Sequence, residues 1–278
     1  MLPRIKLLLT VVLTAIIFDL AAARIVCTTY PVWLLTRAIV QGTPGTDLTL
    51  LVNPAAGCAH DFTPSSGDLR QAARPGTILI ANGAGLDDHI VQSLLKINSN
   101  LHLLQCANPA AEFDAHQFVS PDTALFMAKN IMLKLSEFDP DHSTIYRKNF
   151  YALQKQLNEL TVRSRTIKPH TAVLQSPLFL NLAKTANCPT IVIKSSHSDI
   201  LSANSLKKLL QRIRKSRPAI LWSEKGSTDS AAAAIQKNIQ LPVVQLDSML
   251  DGPAEPPYDY PIKIMRANLD AIEKAVQQ

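Results

Sequence analysis

The chain has 278 residues and a formal net charge of +6, and 47% of its residues are apolar although only 5% are aromatic. This length suits two lobes of ordinary size, whose cores must be packed mainly from aliphatic side chains. The only local cluster of positive charge, at 205–217, has leucines at helical spacing. Since that pattern is typical of the solvated face of an amphipathic helix, we do not expect a nucleic-acid-binding protein.

The first 23 residues have the pattern of a secretory signal. Arg4 and Lys6 give a positive start, residues 7–18 are apolar, and residues 21–23 are alanines that suit cleavage near Ala23. The apolar stretch is too short to span a bilayer, although an uncleaved membrane anchor remains the alternative. We therefore expect a periplasmic protein. Because Arg24 and Ile25 stand where a lipoprotein signal needs small residues, a lipid anchor on Cys27 is not expected.

Four cysteines, at positions 27, 58, 106 and 188, would meet an oxidising compartment after export. Their spacing matches no Cys-x-x-Cys metal or redox motif. Cys58 and Cys106 fall in loops that we expect to be neighbours, so a disulfide between them is possible. The pairing of Cys27, Cys58, Cys106 and Cys188 is not fixed by the sequence.

In chain order, the first half alternates short apolar runs with helical patterns. The predicted strands are 25–29, 48–52, 77–83 and 101–105, and the predicted helices are 32–40, the later part of 61–74, and 88–96. Such alternation favours a parallel sheet covered by helices.

A long helical pattern then begins at Pro121, with Ser120 as a suitable N-cap. It should be interrupted at Asp139-Pro140, because proline lacks the N–H that the helix needs. The pattern resumes and ends at Lys168-Pro169.

The second half repeats the alternation, with strands predicted at 171–175, 190–194, 219–224 and 242–247 and helices at 178–186, 203–215, 228–238 and 262–276. The predicted fold class is α/β, with two lobes that each contain a four-stranded, mostly parallel sheet flanked by helices. A long rigid helix joins the lobes, and a cleft lies between them. The predicted boundaries are 1–23 for the signal, 24–120 for the N-terminal lobe, 121–166 for the linking helix and 167–278 for the C-terminal lobe.

The functional signal lies at the ends of the predicted strands, where open parallel sheets bind ligands. His60 and His116 follow the second and fourth strands, and Asp247 ends the last strand. Imidazole and carboxylate groups that converge from two lobes are typical of a divalent transition-metal site. Other strand ends in the second half carry Gln175, Ser176, His197 and Glu224. Four other histidines have no such position at a strand end and are interpreted as surface residues: His89, His102, His142 and His170.

The ordered motifs resemble the zinc- and manganese-binding substrate-binding proteins of metal ABC importers, the ZnuA/TroA-like cluster A-I family. "CAHDFTPSSGDLR" is similar to the family's Pro-His-Asp-Tyr-x-x-x-Pro-x-Asp segment, "NGAGLDD" to its Asn-Gly-x-Gly-Leu-Glu turn, and "DAHQFVSP" to its Pro-His-x-Trp-x-x-Pro motif. "TTYPVWLLTRAIVQG", "FDPDHSTIYRKNFYALQKQLNEL" and "LPVVQLDSMLDG" are similar to its opening strand and helix, its linking helix and its final strand. The resemblance covers nearly all of the mature chain.

The resemblance implies a non-enzymatic, monomeric protein that binds a divalent metal ion and delivers it to an ABC permease in the inner membrane. It implies His60, His116 and Asp247 as metal ligands. Zn²⁺ is favoured over Mn²⁺ because two histidines are present and no second carboxylate aligns with the family's glutamate. Since metal ligands must be deprotonated, the affinity should fall as the pH drops.

The fourth ligand is where the chain departs from the family, which places His or Glu before an x-Ala-Phe-x-Tyr pattern. In "LQSPLFLNLA", aligning Phe179 with the family's phenylalanine puts Ser176 at the ligand position and Gln175 beside it. The alternatives that stay open are His197, a water molecule, Gln175, Glu224 or Cys58 as the fourth donor, or a site without metal binding.

Two other functions also stay open at this point. A site of two histidines, one aspartate and a water is found in exported zinc-dependent hydrolases, for which Glu224 would be the general base. A degenerate family member would instead bind another solute.

Overall fold

The computed structural model describes residues 23–53, 62–110, 112, 114–193, 202–227 and 230–277. The predicted signal up to residue 22 lies outside the described residues, and so do His60, Cys58 and His197.

The N-terminal lobe contains a four-stranded parallel sheet in the order β2-β1-β3-β4. Its strands are β1 (Arg24–Cys27), β2 (Asp47–Leu50), β3 (Thr77–Ala81) and β4 (His102–Gln105), and its helices are α1 (Tyr30–Ile39), α2 (Ser66–Ala72) and α3 (Asp88–Ile97). All five residues of β3 are buried. A continuous apolar run of this kind is typical of a parallel strand that helices cover on both faces.

The linking segment is a helical hairpin. It consists of α4 (Pro121–Phe138), a 3₁₀ turn (Pro140–His142) and α5 (Ser143–Arg165), and α4 packs against α5. The break therefore lies at Asp139-Pro140, as the proline predicts. Asp139 closes the turn, because its carboxylate is 2.9 Å from Nδ1 of His142 and accepts a 2.5 Å hydrogen bond from Tyr146.

The C-terminal lobe has the same architecture, with a parallel sheet in the order β6-β5-β7-β8. Its strands are β5 (Ala172–Leu174), β6 (Thr190–Val192), β7 (Ile220–Glu224) and β8 (Val243–Leu246). A 3₁₀ turn (Pro177–Phe179) precedes α6 (Leu180–Thr185), and the remaining helices are α7 (Ala203–Ser216), α8 (Ser230–Ile239) and α9 (Tyr260–Gln277). The α/β class and the two four-stranded sheets are thus confirmed.

One apolar core runs through both lobes. It contains buried side chains of β1 and β3, of both linking helices, and of β5, β7, β8 and α9, for example Ile25, Met127, Leu157, Trp222 and Leu246. Two smaller cores lie in the C-terminal lobe around Ile213 and Ile235, and in the N-terminal lobe around Ile90 and Leu94.

The four histidines interpreted as surface residues divide into two pairs. His89 and His102 are exposed, as predicted, but His142 and His170 are half-buried. The reason is ring packing, since His142 lies against the buried Tyr146 and His170 against the buried Trp222. Within the described part of the chain, no helix has the length and apolar content needed to cross a membrane.

Candidate metal site

The loops beyond the carboxyl ends of the two sheets contact each other across the lobes. Tyr30, which follows β1, donates a 2.8 Å hydrogen bond to the carbonyl of Pro253, which follows β8. Asn181, in α6 after β5, donates a 2.9 Å hydrogen bond to the carbonyl of Asp114, which follows β4. The strand ends that carry His116 and Asp247 therefore belong to one interface between the lobes.

His116 is held by the carboxylate of Asp114. The imidazole is buried, with 4% of the residue exposed, and it begins a 3₁₀ turn (Gln117–Val119). Its Nδ1 lies 2.5 Å from Oδ1 of Asp114, and its backbone N–H donates to the same oxygen at 2.9 Å. A carboxylate at Nδ1 favours the tautomer with the proton on that nitrogen, which leaves the lone pair on Nε2. Metal-binding histidines commonly have this arrangement.

The two residues after His116 also fix the loop that carries it. The Gln117 carboxamide accepts from the N–H of Asn108 at 2.8 Å and donates to its carbonyl at 2.6 Å. Phe118, in the family's aromatic position, is buried and meets the His116 ring edge-on at 5.9 Å. His116 is thus attached to a rigid loop.

The Asn82-Gly83 turn supports the same loop. Its two backbone N–H groups donate to the carboxylate of Asp87 at 2.7 and 2.8 Å, and Thr28 adds a third hydrogen bond at 2.5 Å. Burial raises the pKa of Asp87, and these hydrogen bonds partly offset the rise. From this turn, the side-chain amide of Asn82 donates to the carbonyl of Ala115 at 3.0 Å.

Asp247 directly follows β8, and α9 fixes its backbone. Asn268 accepts from its N–H at 2.8 Å and donates to its carbonyl at 2.9 Å. Its carboxylate accepts from the N–H of Met249 at 2.9 Å and lies 3.9 Å from Nζ of Lys225. With 25% of the side chain exposed, this carboxylate is accessible to a ligand.

Two tyrosines lie near Asp247. Burial is the main cause that raises the pKa of Tyr30, to about 12, and the negative charges nearby, including Asp247, add to the rise. The pKa of Tyr260 is raised by burial and by Asp247 and Asp251. Both phenols therefore stay protonated at neutral pH, and Tyr30 remains a donor to Pro253.

Gln175 is bonded within its own lobe. Its carboxamide oxygen accepts from the Ser223 hydroxyl at 2.6 Å and from the Glu224 N–H at 3.1 Å, and its Nε2 lies 2.5 Å from the Ser227 hydroxyl. Both lone pairs of that oxygen are thus in use. Ser176 is buried and precedes the 3₁₀ turn, whereas Glu224 ends β7 half-buried.

The described residues do not form a complete metal site. Among them, no three His, Cys, Asp or Glu side chains are grouped closely enough to hold an ion. Of the predicted ligands, the structure describes His116 and Asp247, whereas His60 and His197 lie outside the described residues. A three-ligand site built from such side chains would therefore include a residue outside the described ranges.

Sequence reasoning missed Asp114 and Asn181. The signal for Asp114 was present in "DAH", because a carboxylate two residues before a histidine can reach back to its ring. No local pattern identifies Asn181, whose partner lies 67 residues away in the other lobe.

Three cysteines are buried free thiols: Cys27, Cys106 and Cys188. Cys106 is enclosed in the core beside Asn82, and Cys58, its partner in the possible disulfide, lies outside the described residues. Burial raises the pKa of Cys27 to about 12 and that of Cys188 to about 11, so both are protonated at neutral pH.

The comparisons with known proteins agree on one family. The model of the family described as zinc-uptake complex component A, periplasmic (ZnuA) matches residues 25–275. The metal ABC transporter substrate-binding lipoprotein SloC of Streptococcus mutans is 23% identical over 247 residues, which cover 79% of each chain. The manganese ABC transporter substrate-binding lipoprotein PsaA of Streptococcus pneumoniae is 19% identical over 208 residues, which cover 66% of this chain and 67% of PsaA.

The structure of the substrate-binding protein FpvC from Pseudomonas aeruginosa, solved in complex with Ni²⁺, superposes with a TM-score of 0.80. The match covers 92% of this chain and 97% of FpvC at 20% identity, so it shows the fold. The family is one of substrate-binding proteins of metal ABC transporters and not of enzymes. The chain belongs to the ZnuA family.

Proposed function

We propose that this protein is exported, captures a divalent transition metal between its lobes and delivers it to an ABC permease in the inner membrane. The observation that carries the proposal is the buried Asp114–His116 pair, in which the carboxylate directs the lone pair of the imidazole to Nε2. A buried histidine prepared in this way, in the loop that follows β4 and at the lobe interface, suits metal binding better than a structural role.

The proposed ligands are His60, His116 and Asp247. For the fourth position, the two hydrogen bonds accepted by the Gln175 oxygen favour the other donors, namely His197, Ser176, Glu224, Cys58 or water. Two imidazoles and one carboxylate with a further open position form a donor set that suits Zn²⁺.

Zinc is the proposed cargo and manganese the alternative. The family description names zinc, whereas PsaA is named for manganese and FpvC was solved with Ni²⁺ and with Mn²⁺. Imidazole donors favour zinc, because manganese prefers carboxylate and other oxygen ligands.

The curated relatives are lipoproteins, but we propose a protein without a lipid on Cys27. Cys27 is the last residue of β1, with its side chain fully buried in the core. Lipidation would require cleavage directly before Cys27, which would remove Arg24–Val26 and destroy the central strand of the sheet. Cleavage near Ala23 preserves that strand.

The test is equilibrium dialysis of the purified mature protein against zinc at neutral pH, with elemental analysis of the bound metal. One zinc ion per chain is expected. His116→Ala and His60→Ala should each weaken zinc binding by more than the roughly 10–100-fold loss typical of an outer-shell change. His170→Ala is the control and should bind zinc normally, since His170 lies before β5, with its Nδ1 at the Lys168 carbonyl and its ring beside Trp222.

Absence of stoichiometric zinc or manganese uptake by the wild-type protein would overturn the proposal and favour a family member that binds another solute. Equal loss of binding in His116→Ala and His170→Ala would show that the assigned ligands are wrong.

A further inference from the structure

Two asparagine amides, one from each lobe, bond consecutive carbonyls directly before His116. Asn82 Nδ2, at the end of β3 in the N-terminal lobe, donates to the Ala115 carbonyl at 3.0 Å. Asn181 Nδ2, in α6 of the C-terminal lobe, donates to the Asp114 carbonyl at 2.9 Å. Both asparagines are completely buried. Because each partner is a carbonyl oxygen, only the amide nitrogen can make these contacts.

These bonds control the geometry of His116 through Asp114. The Asp114 carboxylate is fixed to both the backbone N–H and Nδ1 of His116, so a shift of the Asp114 backbone moves the oxygen that holds the ring. Asn181, in the C-terminal lobe, opposes such a shift by its bond to the Asp114 carbonyl. Asn82, in the N-terminal lobe, opposes it by its bond to the neighbouring Ala115 carbonyl.

Each asparagine is itself held firmly. The backbone of Asn82 is bonded to the buried Asp87, and its amide also donates to the Gly83 carbonyl at 2.9 Å. The Thr185 hydroxyl, 3.0 Å from the carbonyl of Asn181, donates to the carboxylate of Asp122 at 2.5 Å, at the start of α4. The orientation of the His116 ring therefore depends on how both lobes are placed.

We propose that Asn82 and Asn181 are positioning residues for His116, and that Asn181 couples the binding strength of this ligand to the arrangement of the lobes. The inference rests on the proposed function, because it assigns a role around a proposed metal ligand. It extends that function to a residue in the lobe opposite to His116, with no direct contact to the metal required.

The test compares Asn181→Leu and Asn82→Leu with Asn149→Leu. Asn149 is the matched control, because its Nδ2 also donates to two backbone carbonyls, those of Ile39 and Gln41, at 2.8 Å each. It makes these bonds between α5 and the end of α1, away from the Asp114–His116 loop. If Asn181→Leu does not fold, as judged by circular dichroism, Asn181→Ala replaces it.

The first readout is the tautomer of His116 in the metal-free protein, measured by long-range ¹H–¹⁵N spectra and assigned through His116→Ala. The wild type should show the proton on Nδ1, and Asn181→Leu and Asn82→Leu should show a mixture of tautomers. The second readout is zinc affinity by competition with a chelator. It should fall roughly 10–100-fold in both variants and stay unchanged in Asn149→Leu.

An unchanged tautomer in Asn181→Leu and Asn82→Leu would overturn the inference, and so would an equal change in Asn149→Leu. If the wild-type protein binds no metal, the proposed function fails, but the tautomer measurement still decides whether these residues position His116.

Discussion

At the scale of single residues, the described part of the chain contains two histidine–aspartate pairs with different surroundings. Asp114 pairs with Nδ1 of His116 at the lobe interface, and Asp139 pairs with Nδ1 of His142 in the turn between α4 and α5. The first imidazole is buried in the loop that follows β4, whereas the second closes a turn together with Tyr146. The same chemical pair therefore serves ligand orientation in one place and a helix junction in the other.

Asp114→Ala should lower zinc affinity roughly 10–100-fold, because the His116 ring loses the carboxylate that sets its tautomer and raises its basicity. Zinc affinity would be measured by chelator competition at fixed pH. Asp139→Ala is the control: it should leave the affinity unchanged while lowering the free energy of unfolding by about 1–3 kcal/mol, since two hydrogen bonds at a half-buried turn are lost. A loss of affinity in Asp139→Ala equal to that in Asp114→Ala would contradict this assignment.

At the scale of elements, the loop between β8 and α9 binds the lobes together along α1. Tyr30 donates to the Pro253 carbonyl, and the Arg37 guanidinium contacts the Pro256 carbonyl and stacks over the Tyr258 ring at 4.3 Å. Tyr30 also stacks on Trp33 at 5.6 Å. This loop follows Asp247 directly, so its attachment to α1 contributes to where that carboxylate lies.

Gly252→Ala should disturb this attachment. A Cβ at Gly252 would lie 2.6 Å from the Tyr30 hydroxyl oxygen and 2.8 Å from its ring carbon Cε1, and Tyr30 is buried and cannot move aside freely. Overpacking of this kind typically costs about 1–3 kcal/mol in the free energy of unfolding. The measurement is urea denaturation of wild-type and mutant proteins.

The control for this prediction is Gly67→Ala in α2, where the nearest atom to a new Cβ is 3.5 Å away. Alanine suits a helix better than glycine by about 1 kcal/mol, so Gly67→Ala should be neutral or stabilising. If Gly252→Ala were as stable as Gly67→Ala, the close approach of Tyr30 to this loop would be wrong.

The strands and helices were largely predictable from the sequence, because buried parallel strands appear in it as short apolar runs. All eight predicted strands are present, and the proline at 140 correctly marks the break in the linking segment. The predicted strand boundaries were wrong where backbone groups bond a side chain and not the neighbouring strand. The 77–83 strand ends at Ala81, since the N–H groups of Asn82 and Gly83 turn away to bond Asp87.

The candidate site was predictable only in part. Positions such as His116 and Asp247 follow from their place at strand ends, since the carboxyl ends of parallel strands share one edge of a sheet. The sheet order β2-β1-β3-β4 and the bond between Asn181 and Asp114 depend on contacts between distant segments. Such contacts leave no periodic pattern in the sequence.

At the scale of the whole molecule, the lobes share one apolar core through the α4–α5 hairpin. Buried residues of both sheets and both linking helices belong to the same cluster, so neither lobe can lose its packing without exposing part of the other. Asn149 and Arg163, both in α5, add polar contacts to the end of α1 and to α9. This continuity favours small lobe movements when metal binds.

A shared core predicts that both lobes unfold in one cooperative transition. The chain has two tryptophans, Trp33 in the N-terminal lobe and Trp222 in the core of the C-terminal lobe. The variants Trp222→Phe and Trp33→Phe each leave one fluorescent reporter, Trp33 in the N-terminal lobe or Trp222 in the C-terminal lobe. In urea, the fluorescence midpoint should coincide with the circular-dichroism midpoint within each variant, as expected for two-state unfolding. The comparison is made inside each variant because the substitutions themselves change stability.

If the midpoint of the Trp33 fluorescence lay at a different urea concentration from the circular-dichroism midpoint, the lobes would unfold separately. The mechanical link between the His116 loop and the C-terminal lobe would then be weaker than the continuous core implies.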